Sequence, residues 1–255
     1  MDPDYLRQCV YYDGAFDGRF HPLPGLGLAT ALDLSTLEPD DWQRSVRKVE
    51  QSIRKMLMMW TAGDKVVEAE REFYRTTIQE APALVGAHSI EVQYHCEAMI
   101  FFARSALDLI AYVFAKLLPP PLNLKRTDSF NDLLKAIVAS DQHDALAELV
   151  EGWRTAEAGW LSLVADVERG RSLRDQLAHQ IGFPLRYQEI SLTTEKRFAV
   201  VAIGGNPPIP LDDLIERLRA GVVGAFLVLE KVCETYQRNV ATYSGDDEQY
   251  EEGTS

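Results

Sequence analysis

The chain has 255 residues, 46% of them hydrophobic, and a formal net charge of -13 at pH 7. That length and apolar content suffice to bury a core in one main domain, while the acidic balance excludes a surface that attracts polyanions as a whole, so any nucleic acid has to be met locally. The three cysteines, Cys9, Cys96 and Cys233, are far apart and outside any C-x-x-C spacing, which excludes a disulfide framework or a zinc ribbon and makes a reducing, cytoplasmic compartment the expectation.

Residues 1–38 are rich in Gly, Pro and Asp, with turn signals at Asp13-Gly14, Asp17-Gly18 and from Pro22 to Gly27, and read as an irregular segment with a short strand at Cys9 to Tyr12. Acidic Asp2 and Asp4, with no basic stretch leading into an apolar run, argue against a signal or transit peptide. From Pro39 the pattern changes. Trp42, Val46, Val49, Ile53, Leu57 and Trp60 recur at steps of three and four, the period of an amphipathic helix, which is expected to end near Gly63. A second helix carries Val66, Glu70, Phe73 and Ile78 and stops before Pro82.

A third, about residues 87–118, has apolar residues on more than one face, which places it centrally in a bundle. Arg104, Asp108 and Lys116 interrupt its apolar run, so it reads as a core helix rather than a membrane span. A short helix over residues 129–139 follows. Leu146, Val150, Trp153, Trp160, Leu163 and Val167 then predict one long helix closed by Gly170.

Beyond Phe183-Pro184 the period moves towards two, and Tyr187, Ile190 and Leu192 followed by Phe198, Val200 and Ala202 predict a β-hairpin turning at Thr193 to Lys196. Residues 204–210 read as a loop. A last helix spans about residues 211–243, and an acidic tail from 244 to 255 has too few apolar residues to join a core. The expected architecture is therefore mainly α, an antiparallel helical bundle over residues 39–243 with a small hairpin before its C-terminal helix.

The most informative segment is Arg174-Asp-Gln-Leu-Ala-His179. Gly170 suits the end of the preceding helix, and Ser172 with Asp175 three residues later suits the capped start of a new one. Arg174 and His179 lie about 140° apart around such a helix, so they share a pocket only if the long arginine swings towards the imidazole. Arg offers a permanent, planar, phosphate-matching charge, and His moves protons near neutral pH. Arg169, Arg171 and Arg186 make the neighbourhood basic within an acidic chain; they suit local RNA binding, or, for Arg169 and Arg171, the C-terminal end of the preceding helix.

This segment resembles the signature of the HEPN family, an Arg, a polar residue, three variable positions and a His near the start of a late helix in a four- or five-helix bundle. The run from Phe102 to Tyr112 resembles the family's long central helix, and the resemblance covers roughly residues 87–183. It implies an HEPN-like bundle and, in the family's ribonucleases, RNA cleavage without a metal in a cleft at a dimer interface. Carried over, Arg174 would hold the phosphate, His179 would be the general acid or base, and Asp175 would orient or cap. The resemblance also implies a homodimer and a toxin, antiphage or stress-response setting with an antitoxin or other protein partner. Ile181, two residues after His179, departs from the tyrosine that one toxin branch carries there.

Two further readings stay open: a catalytically silent module binding nucleotide, RNA or protein through the same residues, and a purely structural role for Arg174 and His179. Elsewhere, Arg104 and Asp108 stand one turn apart and read as a structural ion pair. The four tryptophans fall at helical spacing and read as core. No cluster has metal-ligand spacing, so no metal or other cofactor is expected.

Overall fold

The structure is a computed structural model; it describes residues 32, 35, 37–78, 82–118, 121–124, 129–155, 159–165, 172–179, 184–187, 199–201 and 208–246. The chain is mainly helical with a small three-stranded antiparallel sheet. Helix α1 spans Pro39–Ile78 and helix α2 spans Pro82–Leu117. Pro39 supplies no amide donor that would go unused, and Asp40 and Asp41 in the first turn complement the positive end of the helix.

The two long helices form an antiparallel hairpin, seen in how their side chains meet. Tyr112 donates its hydroxyl to Asp41 at 2.6 Å and Lys116 reaches the same carboxylate at 2.8 Å, holding Asp41 below the ordinary carboxylate range. Ser52 donates to the Ala106 carbonyl at 2.7 Å. Partner numbers thus fall on α2 as they rise on α1. Val49, Met56, Met59 and Val66 of α1 are buried against α2, whose Met99, Ile100, Leu107, Ile110 and Phe114 are fully buried. His88–Leu117 is long and apolar enough to cross a membrane by composition, and 61% of its most apolar window is buried inside the fold, where the core accounts for that character.

Three short helices follow, α3 (Phe130–Val138), α4 (Asp144–Thr155) and α5 (Leu161–Val164); α3 and α5 pack on α2, and α4 packs on α3 and α5. Helix α6 (Leu173–His179) packs against both α2 and α5. Strands β1 (Leu185–Tyr187), β2 (Ala199–Val201) and β3 (Ile209–Pro210) pair antiparallel, with Arg186 opposite Val200 and Val201 opposite Ile209. Helix α7 (Leu211–Asp246) follows β3 directly and buries Leu214, Leu218, Val222, Phe226 and Leu229 in the same core.

Five boundaries differ from the sequence reading. Gly63 does not end a helix: α1 runs through it, because its missing side chain makes room for the guanidinium of Arg219. The long helix expected from Leu146 to Val167 is two, α4 ending at Thr155 and α5 beginning at Leu161. Trp153 and Trp160 meet edge to face at 5.6 Å, and Ala165, extended at φ -131°, ends α5. The loop expected over residues 204–210 ends in β3, whose pairing with β2 turns the hairpin into a sheet. Helix α2 begins at Pro82 rather than 87, and α7 continues to Asp246 rather than 243.

The strand read at Cys9 to Tyr12, the hairpin turn and the tail residues 247–255 lie outside the described residues. Leu32, within the segment read as irregular, is buried at 1% exposure, and its carbonyl accepts the Trp42 indole N–H at 3.2 Å.

Candidate functional site

Helix α6 starts where Ser172, buried, accepts the Asp175 amide on its hydroxyl at 3.2 Å. That satisfies one of the donors a helix N-terminus leaves open, and Leu173 anchors the turn in the core at 1% exposure. Capping therefore falls to Ser172, and the Asp175 side chain is turned to another use. Its Oδ1 accepts a hydrogen bond from the Arg174 guanidinium at 2.6 Å.

Residues i and i+1 on a helix ordinarily point apart, so this pair closes only because both side chains lean to one side. Phe101 of α2 sets that side, with the Arg174 guanidinium carbon 5.4 Å from its ring centre. The negative face of the ring favours a cation there. The side chain of Arg174 is 34% exposed and its buried Nε makes no hydrogen bond among the described residues. The result is a cation held by a ring and a carboxylate on a side chain about one-third exposed.

One turn along α2 a second arginine is fully engaged. Arg104 donates to Asp108 at 2.8 Å, to the Asn131 side-chain carbonyl at 3.0 Å and to the Val164 backbone carbonyl at 2.8 Å. The other Asp108 oxygen accepts the Phe130 amide, the first of α3, at 2.7 Å. This pair ties α2 to the start of α3 and the end of α5, as a structural ion pair should, and so fixes the wall against which α6 lies. Arg174 lies against the same helix with its side chain about one-third exposed, where Arg104 is 12% exposed.

His179 is the last residue of α6, and its side chain lies outside the described residues, as do Arg169 and Arg171. Arg186 is placed on β1 and exposed. The structure thus brings Arg174 and Asp175 together directly, sets His179 at the far end of the same seven-residue helix, and puts Arg186 on the strand that follows. Among the described residues no group of three or more His, Cys, Asp or Glu is placed to hold a metal ion.

A titratable group that the sequence reading did not single out is Glu70. It is 7% exposed near the C-terminal end of α1 and accepts the Ala199 amide of β2 at 2.5 Å. Burial, reinforced by the Asp212 charge, pushes its carboxyl up to about 7 against the lowering effect of that hydrogen bond. Cys96 of α2, fully buried, has its thiol pushed up by burial and then by Glu70 and Glu97. The signal was visible: Glu70 occupies the apolar stripe between Val66 and Phe73, where a charge needs a buried partner.

Comparison of the chain with protein-family models, curated proteins and solved structures gives no match. The functional reading therefore rests on the residues themselves.

Proposed function

We propose that this chain is an HEPN-type endoribonuclease that cleaves RNA without a metal, as a cytoplasmic homodimer. The observation that carries the reading is Arg174, its side chain about one-third exposed and its guanidinium set over Phe101 and on Asp175, at the start of the helix that ends at His179. A planar, partly exposed cation suits a phosphodiester oxygen and the charge that develops there during transfer.

In the proposed reaction His179 removes the proton of the ribose 2′-hydroxyl as general base, and the 2′-oxygen attacks the adjacent phosphorus. The 5′-oxygen of the next nucleotide leaves with a proton returned by the imidazolium of His179 or of its counterpart in a second copy. Arg174 binds a non-bridging oxygen, and Asp175 keeps the fork aligned. One Arg and one His make a sparse site, and a two-fold axis would double them. Arg169, Arg171 and Arg186 would bind the RNA backbone locally, which a chain of charge -13 requires. The setting would be a toxin, antiphage or stress-response role with an antitoxin or other protein partner.

The alternative is a catalytically inactive HEPN module that binds nucleotide, RNA or a protein through the same residues. It is supported by the Arg174–Asp175 pair itself, because a carboxylate on the guanidinium competes with phosphate. Incubation of the purified protein with single-stranded RNA in EDTA separates the two. Cleavage is expected, with a loss of about 10²–10⁴ in rate for His179→Ala and a comparable loss for Arg174→Ala at unchanged melting temperature. Binding without cleavage, abolished by the same substitutions, selects the inactive module. Activity retained in both variants rejects the site.

A further inference from the structure

Over residues 42–63, in the first part of α1, Arg44, Arg47, Lys48, Arg54 and Lys55 stand against a single acid, Glu50. The chain as a whole carries a net charge of -13, so this stretch inverts the prevailing sign. Arg47 and Arg54 are exposed, and neither makes a hydrogen bond or an ion pair among the described residues. Seven residues apart, they fall within about 20° of one line along the helix and about 10.5 Å from each other along its axis. Exposed Gln51 stands between them on the same face. We propose that this face of α1 binds the phosphate backbone of single-stranded RNA and leads it to Arg174. The choice of RNA among polyanions rests on the ribonuclease reading, whereas the row of cations does not.

Lys55 makes the link to that site. Its ammonium lies 5.2 Å from the centre of the Phe102 ring, and Phe101, the preceding residue of α2, is the ring under Arg174. The hydrogen bond from Ser52 to the Ala106 carbonyl sets the level, bringing this part of α1 beside the turn of α2 that carries both rings. Cations from α1 and α6 are thus held at successive positions of one helix. The row and the candidate site meet there.

Three features select the partner. Guanidinium forks match the non-bridging oxygens of phosphate, and a glutamine between them adds a neutral donor of the kind that backbone contacts use. Cations lined up on one straight helix face repel one another, and a linear polyanion relieves that along its length. From Arg44 to Arg54 every exposed side chain is polar, without the apolar centre on which a protein interface is built. The acidic remainder of the chain then confines a bound strand to this face.

The test is fluorescence anisotropy of the full chain with a labelled oligouridylate carrying 2′-O-methyl groups. Methylation removes the hydroxyl that the proposed cleavage needs, so binding is read apart from chemistry, and cleavage of unmodified RNA is measured beside it. Arg47→Gln combined with Arg54→Gln is expected to weaken binding about tenfold or more at low salt. It should also lower the slope of log Kd against log salt by about 1.4, at ~0.7 for each phosphate contact, and adding Lys55→Gln should bring that reduction to about 2. Arg71→Gln, Arg75→Gln and Lys135→Gln together, at exposed positions elsewhere, make the same change in charge as the triple variant and should leave the Kd within about twofold.

Absence of RNA binding by the wild-type chain overturns the proposal, as does an unchanged Kd in the Arg47 and Arg54 double variant. Where that double variant still cleaves unmodified RNA, the ribonuclease reading stands without the row. Weaker binding by the double variant in a protein that does not cleave supports the row and removes the ribonuclease reading. An equal loss in the control variant assigns the effect to net charge and overturns the proposal. Polyglutamate that displaces the RNA at equal charge also overturns it, marking the face as a seat for an acidic protein.

Discussion

The guanidinium of Arg219 occupies the space where a side chain on Gly63 would be. A β-carbon at Gly63 would lie 2.6 Å from an Arg219 terminal nitrogen and 3.1 Å from its Cζ. That nitrogen donates to the Trp60 carbonyl at 2.7 Å and to Asp64 at 2.8 Å, and the guanidinium carbon stands 4.8 Å over the Trp60 ring. The arginine side chain is 8% exposed, so α7 is pinned to the middle of α1 by a cation with little room to move. Gly63→Ala should therefore destabilise the protein, although alanine is favoured over glycine in a helix by about 1 kcal/mol. Overpacking at ~1–3 kcal/mol outweighs that gain, and chemical denaturation should show a lower midpoint for the variant. A stabilised Gly63→Ala protein would mean that Arg219 is not held there.

The Arg104–Asp108 pair yields a second expectation, because its partners lie on three elements. Arg104 is 12% and Asp108 28% exposed at the side chain. Removing one member of a fully buried pair costs about 3–5 kcal/mol, mostly from the charge left behind, and the partial exposure here lowers that to roughly 2–3 kcal/mol. Arg104→Met and Asp108→Asn should each lower stability by that order. The double variant should lose less than the sum, as coupled neighbours do. Strict additivity in denaturation experiments would show that the two residues act independently.

Apart from the break read at Gly63, the long helices were legible: Val49, Ile53, Val66 and Phe73 mark the buried face of α1 at helical spacing, and α2 is apolar on several sides because neighbours surround it. The Arg104–Asp108 pair was legible from its one-turn spacing, and the start of α6 from Ser172. What a local reading cannot supply is the partner far along the chain. Gly63 looks like a helix end until Arg219, 156 positions later in the sequence, fills its place. Helix α4 ends at Thr155 and α5 begins at Leu161, and the apolar periodicity continues through both without recording the break. Ile209 and Pro210 form a strand only because β2 offers an edge. At the candidate site the types Arg, Asp and His could be read in order, but the use of Phe101 as the seat of Arg174 could not, since it depends on how α6 lies on α2.

Glu70 gives the fold a dependence on pH with a definite sign. Its carboxyl, ordinarily near 4.5, is pushed up to about 7 by burial. Between those values the folded protein keeps a proton that the unfolded chain has released, so stability falls as pH rises through about 4.5 to 7 and the loss is complete above that range. The shift corresponds to on the order of 3 kcal/mol. Glu70→Gln retains an oxygen to accept the Ala199 amide and removes the titration. Urea denaturation at pH 5 and pH 8 should show a wild-type protein weakened at the higher pH by that order, and a variant whose midpoint changes much less. Parallel curves for the two proteins would remove Glu70 as the origin of the dependence.

At the start of α6 the division of labour between Ser172 and Asp175 separates folding from function. Ser172 holds the helix N-terminus through the Asp175 amide, so Ser172→Ala should cost about 0.5–2 kcal/mol and lower the melting temperature. The Asp175 side chain serves Arg174 instead. Both partners of that pair are about one-third exposed, at 34% and 28%, and such ion pairs contribute roughly 0–1 kcal/mol to stability. Asp175→Asn should accordingly leave the melting temperature close to wild type. Under the ribonuclease reading it should nonetheless reduce kcat on single-stranded RNA by about tenfold, because the guanidinium loses the carboxylate that aims it, and small misplacements of a positioned group are costly. KM should fall or stay level, since the carboxylate that competes with phosphate for Arg174 is gone. A lower kcat together with a higher KM would instead show that Asp175 contributes to holding the RNA, and unchanged kinetics would show that the geometry seen between Arg174 and Asp175 has no part in the reaction.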